Sequence, residues 1–235
     1  MKLKANLHFH SSEDPLDVIS YDLFEGIDKA ASLGFNVLAS TPHGAFVVLP
    51  EHVEHAKSKN ILLLPGIEAN IYEDGSKYGS HVVILNCDKS VEQIQTFSDL
   101  KKYRTEHPEI FVIAPHPFFI GASSLHERLE KYIELFDAIE LSWFYTKWFN
   151  WNIRGEQVAI KNNKPYIATS DTHFFDFMDD HFVTIDATEK TTDAIFRALR
   201  EGSFENTTSP RSLFDILFTF LPNTLIMEIK SLFLK

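Results

Sequence analysis

His8 and His10 stand two residues apart in an apolar segment that reads as a β-strand. In a strand, side chains at i and i+2 leave the same face, so both imidazoles project together. Two neutral imidazoles one side-chain spacing apart can share a borderline divalent cation. Two such histidines arise readily by chance, and the residues that follow change their meaning. Ser11-Ser12-Glu13-Asp14 supplies carboxylates directly after the strand. Further on come Thr41-Pro42-His43-Gly44, Gly66-Ile67-Glu68, Gly79-Ser80-His81, Ala114-Pro115-His116-Pro117 and Ser170-Asp171-Thr172-His173. Imidazoles suit zinc, manganese or iron, and carboxylates can bridge two ions while offsetting their charge. A water held between two such cations has its pKa lowered towards neutrality, which makes it a nucleophile at pH 7.

These residues need a scaffold that gathers them. Short apolar runs at 3–9, 37–41, 61–67, 81–87, 110–114, 138–141, 166–169 and 182–185 predict strands. Amphipathic stretches at 22–33, 91–103, 125–136, 152–162 and 192–200 predict helices between them. Regular alternation of this kind points to parallel βα units, in an α/β barrel or an open sheet. His43, Glu68, His116 and Asp171 each fall just past the end of a predicted strand. In a barrel such positions converge on one mouth, whereas an open sheet gathers only those near its switch point. Four contributing strands favour the barrel. His81 stands before its apolar run, so either the segment 72–80 crosses the mouth or that strand runs the other way.

The totals bound the rest. A chain of 235 residues can bury one α/β-barrel core. The single cysteine, Cys87, rules out an internal disulfide framework and reads as a small core residue in a reducing, cytoplasmic compartment. The N-terminus has no apolar region of signal-peptide type, and no stretch reaches the roughly 18 apolar residues of a membrane span. A formal charge of −11 repels a phosphate backbone, so nucleic acid is an unexpected partner. Bound cations could still make the site locally positive for a small phosphorylated substrate. No GxSxG elbow or GxxxxGK[ST] loop is present, so acyl-enzyme and nucleotide-kinase chemistry lose support.

The six motifs, in this order, resemble the PHP (polymerase and histidinol phosphatase) family of phosphoesterases. The resemblance rests on the HxH of His8 and His10, the TxH ending at His43 and the GxE ending at Glu68. The lone His81, the His116-Pro117 pair and the SDxH of Ser170 to His173 complete it. It implies a distorted (β/α)7 barrel with two or three divalent ions (zinc, manganese or iron) at the C-terminal mouth of the strands. By that resemblance His8, His10, Glu68 and Asp171 hold the first ion. Glu68 bridges to a second, which His81 and His116 also hold, and Asp14, His43 and His173 hold the third. Glu68, Asp171 and His173 are then the groups closest to the chemistry, with a metal-held hydroxide as nucleophile. The chain departs from the family pattern in two places. Asp14 lies four residues after His10 and precedes Pro15, so Glu13 or Asp17 could take its place; Pro42 stands where the family usually has Asp.

Other residues read more plainly. His52 and His55 share the face of a predicted solvated helix, and His107 and His181 read as structural histidines. The segment 140–154 is rich in Trp, Phe and Tyr and carries Lys147 and Arg154; it is either an aromatic wall with cationic phosphate contacts or a barrel-capping helix. Lys77 and Arg104 are weaker candidates for such contacts. A barrel domain over 1–212 and an amphipathic helical tail over 213–235 packed on it complete the reading. The competing functions are an amidohydrolase-type metal hydrolase, a deoxyribonuclease and a metal-binding regulatory module without turnover. Glu68 and the Asp171-x-His173 pair argue against the amidohydrolase, whose pattern usually lacks both.

Overall fold

The computed structural model describes residues 1–215 apart from Asp74 and Ala122. The strands are β1 (Lys2–Asn6), β2 (Val37–Ser40), β3 (Leu62–Tyr72), β4 (Gly79–Leu85), β5 (Phe111–Ala114), β6 (Ala138–Ser142), β7 (Tyr166–Thr169), β8 (Phe182–Asp186) and β9 (Phe204–Thr207). Every residue of β2 and β5 is buried. That burial explains their unbroken apolar runs, because a strand covered on both faces has no solvent side to encode. The helices are α1 (Leu23–Ser32), α2 (Pro50–Ser58), α3 (Phe97–Glu106), α4 (Glu127–Lys131), α5 (Asn152–Lys161) and α6 (Thr192–Arg200).

All nine strands form one sheet in the order β7-β6-β5-β4-β3-β2-β1-β8-β9. β1 to β7 follow one another around a distorted barrel, and the β8–β9 ribbon fills the gap between β1 and β7. Asn206 of β9 closes that seam, accepting from the Ala168 N–H at 2.8 Å and donating to the Tyr166 carbonyl at 2.8 Å. At the mouth, the His10 N–H donates to the Thr172 carbonyl at 3.1 Å and the Thr172 N–H to the His8 carbonyl at 3.2 Å. β4 is antiparallel to both β3 and β5, so the second of the two expectations for His81 holds. Running the other way, β4 brings its first residues to the mouth.

Helix α1 shows how sequence chemistry sets the triplet. Asp22 caps its first turn with a reciprocal Glu25 bond, and Gly34 at φ 77° lets the chain leave it. The helix lays Gly26 against Phe9, where a Cβ would meet the ring Cζ at 2.4 Å. Phe9 is fully buried under α1. Pleating then aims His8 and His10 to the opposite side, into the barrel.

Some expectations change. The predicted helix 91–103 divides into a 3-10 turn (Lys89–Gln93) and α3, because Thr96 and Asp99 form a capping box that starts a new helix. The stretch 125–136 holds only α4 and a 3-10 turn (Ile133–Leu135). β9 escapes hydrophobic patterning because its residues Phe-Glu-Asn-Thr are mostly exposed at a sheet edge. Arg104 belongs to the opposite end of the barrel. Its guanidinium grips Asp137, just before β6, at 2.6 and 2.7 Å, and Arg200 adds a third contact at 3.1 Å. The expected amphipathic tail falls, from residue 216 onward, outside the described residues. Among the described residues no helix is long and apolar enough to cross a membrane.

Candidate metal centre

The polar residues singled out in the sequence meet at one mouth. His8 Nε2 lies 3.2 Å from Glu68 Oε2 and 3.4 Å from Asp171 Oδ1. His10 Nε2 lies 3.3 and 3.2 Å from the same two oxygens. Ligand atoms placed tetrahedrally about 2.0–2.1 Å from an ion are separated by about 3.3–3.4 Å. These four separations are those of atoms sharing one ion, and all four ligand atoms lie within 4.8 Å of one another. His10 Nε2 and Asp171 Oδ1 are buried and have no hydrogen bond of acceptable geometry. Buried polar atoms are ordinarily paired, so two unpaired atoms at coordination distances fit a cation better than a self-satisfied network.

Glu68 is buried at the centre of everything else. Its Oε1 lies 2.8 Å from His81 Nδ1 and 3.1 Å from His116 Nε2, and its Oε2 lies 3.1 Å from His43 Nε2. One carboxylate thus faces two separate sets of imidazoles, the disposition a bridging ligand needs. His116 and Asp171 carry positive φ, 27° and 43°. Such backbone is costly outside glycine and persists where surroundings force it, commonly at functional sites. Both residues turn the chain sharply just past strand ends, and the turn aims each side chain inward.

Beyond these, Asp17 Oδ2 lies 2.9 Å from His173 Nε2 and 3.4 Å from His43 Nδ1. Asp14 is differently engaged. Its Oδ2 faces His10 Nδ1 at 2.8 Å, the His43 N–H at 2.8 Å and His43 Nδ1 at 2.9 Å. Its Oδ1 accepts from the N–H groups of Leu16 and Asp17. Both carboxylates face His43, and with His10 they form a group able to hold an ion; Asp14 is also tied into its own loop, whereas Asp17 alone reaches His173. Glu13 accepts from the Leu23 N–H through Oε1 and takes no place in the cluster.

One residue was missed. Glu140, fully buried in β6, accepts from His8 Nδ1 at 2.9 Å and from the His116 N–H at 3.2 Å. A carboxylate behind a ligand imidazole fixes its tautomer and ring orientation. The available signal was a charged residue inside the otherwise apolar run 138–141.

The electrostatics are consistent with this. Burial opposes charge on His8, yet Asp171, Glu68 and Glu140 outweigh it and push its pKa up to about 10. Burial likewise opposes charge on His43, and Glu68 and Asp14 raise it to about 9. Burial opposes ionisation of Glu68 and Asp171 as well, but the surrounding histidines hold both well below the usual carboxylate range. In the metal-free protein the cluster is held together by protons that a divalent cation can displace.

Above the cluster opens a cavity of about 510 Å³. Asp17, His43, Glu68, His81, His116, Asp171 and His173 form its floor, and Phe119, Trp143, Phe144 and Phe174 its walls. Lys147 and Arg154 do not line it. Lys147 is exposed on the outer side of the loop that follows β6, where Thr146 Oγ1 accepts from Trp148 and Phe149 and turns the chain outward. Arg154, on α5, lies over the Phe118 ring at 4.4 Å and near Glu127 at 3.6 Å. The aromatic wall is therefore present without the cationic contacts expected beside it. His181 is buried in the core, where burial and Arg211 push its pKa down to about 3. His52 is buried and accepts from the Leu49 N–H, and His55 pairs with Asp28; neither joins a metal-ligating group among the described residues.

Comparison with known proteins agrees with the geometry. Residues 149–204 match the model described as PHP-associated. No curated protein sequence matches. Among solved structures, a two-domain Bacteroides vulgatus protein containing a predicted PHP-like metal-dependent phosphoesterase superposes with a TM-score of 0.68 at 18% identity, over 88% of this chain and 65% of that one. The chain thus spans just under two thirds of that protein's length. An amidohydrolase from Chromobacterium violaceum gives 0.60 at 14% identity, over 87% and 98%. The lesion-specific endonuclease from Pyrococcus furiosus gives 0.60 at 12%, over 88% and 58%. That last protein acts on DNA, so the fold carries no exclusion of nucleic acid, and the expectation drawn from net charge loses that support. A PHP-associated segment after β6, six motifs that meet at one mouth and a barrel fold shared with a PHP-like protein are thus the features in which this chain is similar to the PHP family.

Proposed function

We propose that this chain is a metal-dependent phosphoesterase that hydrolyses a small phosphorylated substrate at the His8–His10–Glu68–Asp171 centre. The observation that carries the reading is the close-set quartet whose Glu68 faces a second set of imidazoles. In the proposed assignment, His8, His10, Glu68 and Asp171 hold one ion and Glu68, His81 and His116 a second. Asp17, with His43 and His173, would hold a third; Asp14 orients His10 and His43 from behind. Divalent ions there, whether zinc, manganese or iron, supply positive charge for the phosphoryl oxygens and lower the pKa of water.

The chain's own residues do the remainder. Glu140 holds the His8 ring so that Nε2 faces the centre. Glu68 and Asp171, ionised throughout the physiological range, fix the positions of the imidazoles. His173 stands on the cavity floor beside Asp17, and its Nδ1, bonded to the Asp171 carbonyl, turns Nε2 towards Asp17 and the third site. The balance is simple: water adds its oxygen to phosphorus, the P–O bond to the leaving group breaks, and an alcohol or phenol and phosphate result. In the same proposal the barrel domain spans 1–212 and the protein works in the cytoplasm, where the buried thiol of Cys87 stays reduced.

Metal analysis of the purified chain tests the reading. Two or three ions per chain, lost on chelation together with aryl phosphate hydrolysis, are expected; a folded, metal-free chain that takes up no ion refutes it. The amidohydrolase on the same fold makes hydrolysis of an amide the second reading. Glu68 and His173, both inside the cluster, favour the phosphoester, and parallel assays on aryl phosphates and aryl amides separate the two.

A further inference from the structure

The cavity walls select among phosphoesters. Outside its polar floor the cavity is bounded, among the described residues, by Phe119, Trp143, Phe144 and Phe174, with Leu16 on the rim and Ser123 and Ser142 as small polar residues. Among the described residues that line it, none is Lys or Arg. The rings also brace one another. Phe144 meets Phe119 edge-on at 5.1 Å and Trp143 edge-on at 5.4 Å. Trp143 in turn stacks on Phe177 at 5.4 Å, and the Arg211 guanidinium lies 5.0 Å from its ring. A rigid aromatic slot favours a flat, apolar group that can pack by offset or edge-to-face contact. Sugar hydroxyls entering it would lose water without gaining partners. A second phosphoryl group lodged among the rings would find no Lys or Arg among the described wall residues to offset its charge.

We infer that this cavity takes a phosphoester with one phosphoryl group and a planar aromatic leaving group, recognised by Phe119, Trp143, Phe144 and Phe174. The inference rests on the phosphoesterase reading, because the metal cluster at the cavity floor must bind the phosphoryl group. Its chemistry is hydrolysis of an aryl–O–P linkage: water adds its oxygen to phosphorus, the bond from phosphorus to the aryl oxygen breaks, and the proton ends on the phenolic oxygen.

Binding of compounds that the protein cannot hydrolyse tests the slot without the intrinsic reactivity of the leaving group. The full chain, loaded with Mn²⁺, is titrated calorimetrically with methylphosphonate, phenylphosphonate and 1,4-phenylene bisphosphonate. Phenylphosphonate is expected to bind about tenfold or more tightly than methylphosphonate, since ring packing adds to the area buried. The bisphosphonate is expected to bind no better than phenylphosphonate. Phe119→Ala and Phe144→Ala, at partly exposed positions, should each lower the phenyl-to-methyl ratio severalfold while leaving methylphosphonate within twofold. Equal binding of the methyl and phenyl compounds overturns the aromatic slot and leaves the phosphoryl-binding centre standing. A bisphosphonate that binds markedly more tightly overturns the single-phosphoryl limit. If neither monophosphonate binds, the phosphoesterase reading falls and the inference falls with it.

Discussion

Replacing Glu68 by Gln exchanges one carboxylate oxygen for an amide NH2, with almost no change in shape. The consequences follow from what surrounds it. Five imidazoles lie within 3.3 Å of the two oxygens: His8, His10 and His43 on Oε2, His81 and His116 on Oε1. An amide leaves one neutral acceptor and one donor, so one set of imidazoles must lose its anionic partner whichever way the group is turned. A donor cannot ligate a cation, and the bridge is lost. We expect a fall of at least about a thousandfold in kcat/KM, equivalent to about 4 kcal/mol of transition-state stabilisation. We also expect at least one fewer ion per chain in mass spectrometry under native conditions. Stability of the chelated protein gives an independent check. His8 and His43 have raised pKa values in the fold, about 10 and about 9, so their pairing with Glu68 stabilises fully below about pH 6.5 and is lost as pH rises through those values. Denaturant titration should therefore find Glu68→Gln costing about 3–5 kcal/mol near pH 6, with the cost shrinking towards pH 10. Near-normal turnover, or a cost independent of pH, would refute the central role given to Glu68.

Three further outcomes follow from the same geometry. Glu140→Gln keeps the volume of β6 but weakens the bond that orients His8; metal affinity by chelator competition should fall about 10–100-fold, and an unchanged affinity would remove Glu140 from the site. Asp17→Asn should lower the ion count by one with little loss of stability. Asp14→Asn should retain the count and destabilise by about 1–3 kcal/mol, because it disturbs an oxygen on which three donors converge; the reverse pattern would return the third site to Asp14. His181 has its pKa lowered to about 3, so the unfolded chain binds a proton there between about pH 6.5 and 3 that the fold does not. Wild-type stability should accordingly fall with decreasing pH relative to His181→Leu, approaching about 1.4 kcal/mol per pH unit in that window, and parallel profiles would contradict the buried neutral histidine.

Much of the site was legible along the chain because ligand chemistry leaves few choices. Only side chains with nitrogen, oxygen or thiolate donors hold a borderline cation, and in a barrel they must stand at strand ends or on a strand's inward face. His8, His10, His43, Glu68, His116, Asp171 and His173 meet both conditions in their local sequence, and each lies in the cluster. Strands with most of their positions buried, parallel or antiparallel, wrote themselves as largely apolar runs, so eight of the nine described strands could be placed. β9 could not, since an exposed edge strand of Phe, Glu, Asn and Thr has no buried face to pattern it.

The remainder depended on how distant segments approach. The direction of β4 is set by pairing with β3 and β5, and that pairing carries His81 to the mouth. Asp14 and Asp17 are chemically alike and three residues apart; only the turn between them, tied by N–H bonds to Asp14, decides that Asp14 meets His10 and Asp17 meets His173. Glu140 gained its role because β6 lies across the barrel from His8, a contact that local spacing does not encode. Lys147 and Arg154 had the right charge in the right stretch of chain, but the loop after β6 turns Lys147 outward and α5 sets Arg154 over Phe118, which leaves aromatic rings around the cavity. Residue type and strand period therefore determined which chemistry is possible. The direction each side chain faces was decided by strand pairing and loop closure, because these fix orientation in space and the order of residues does not.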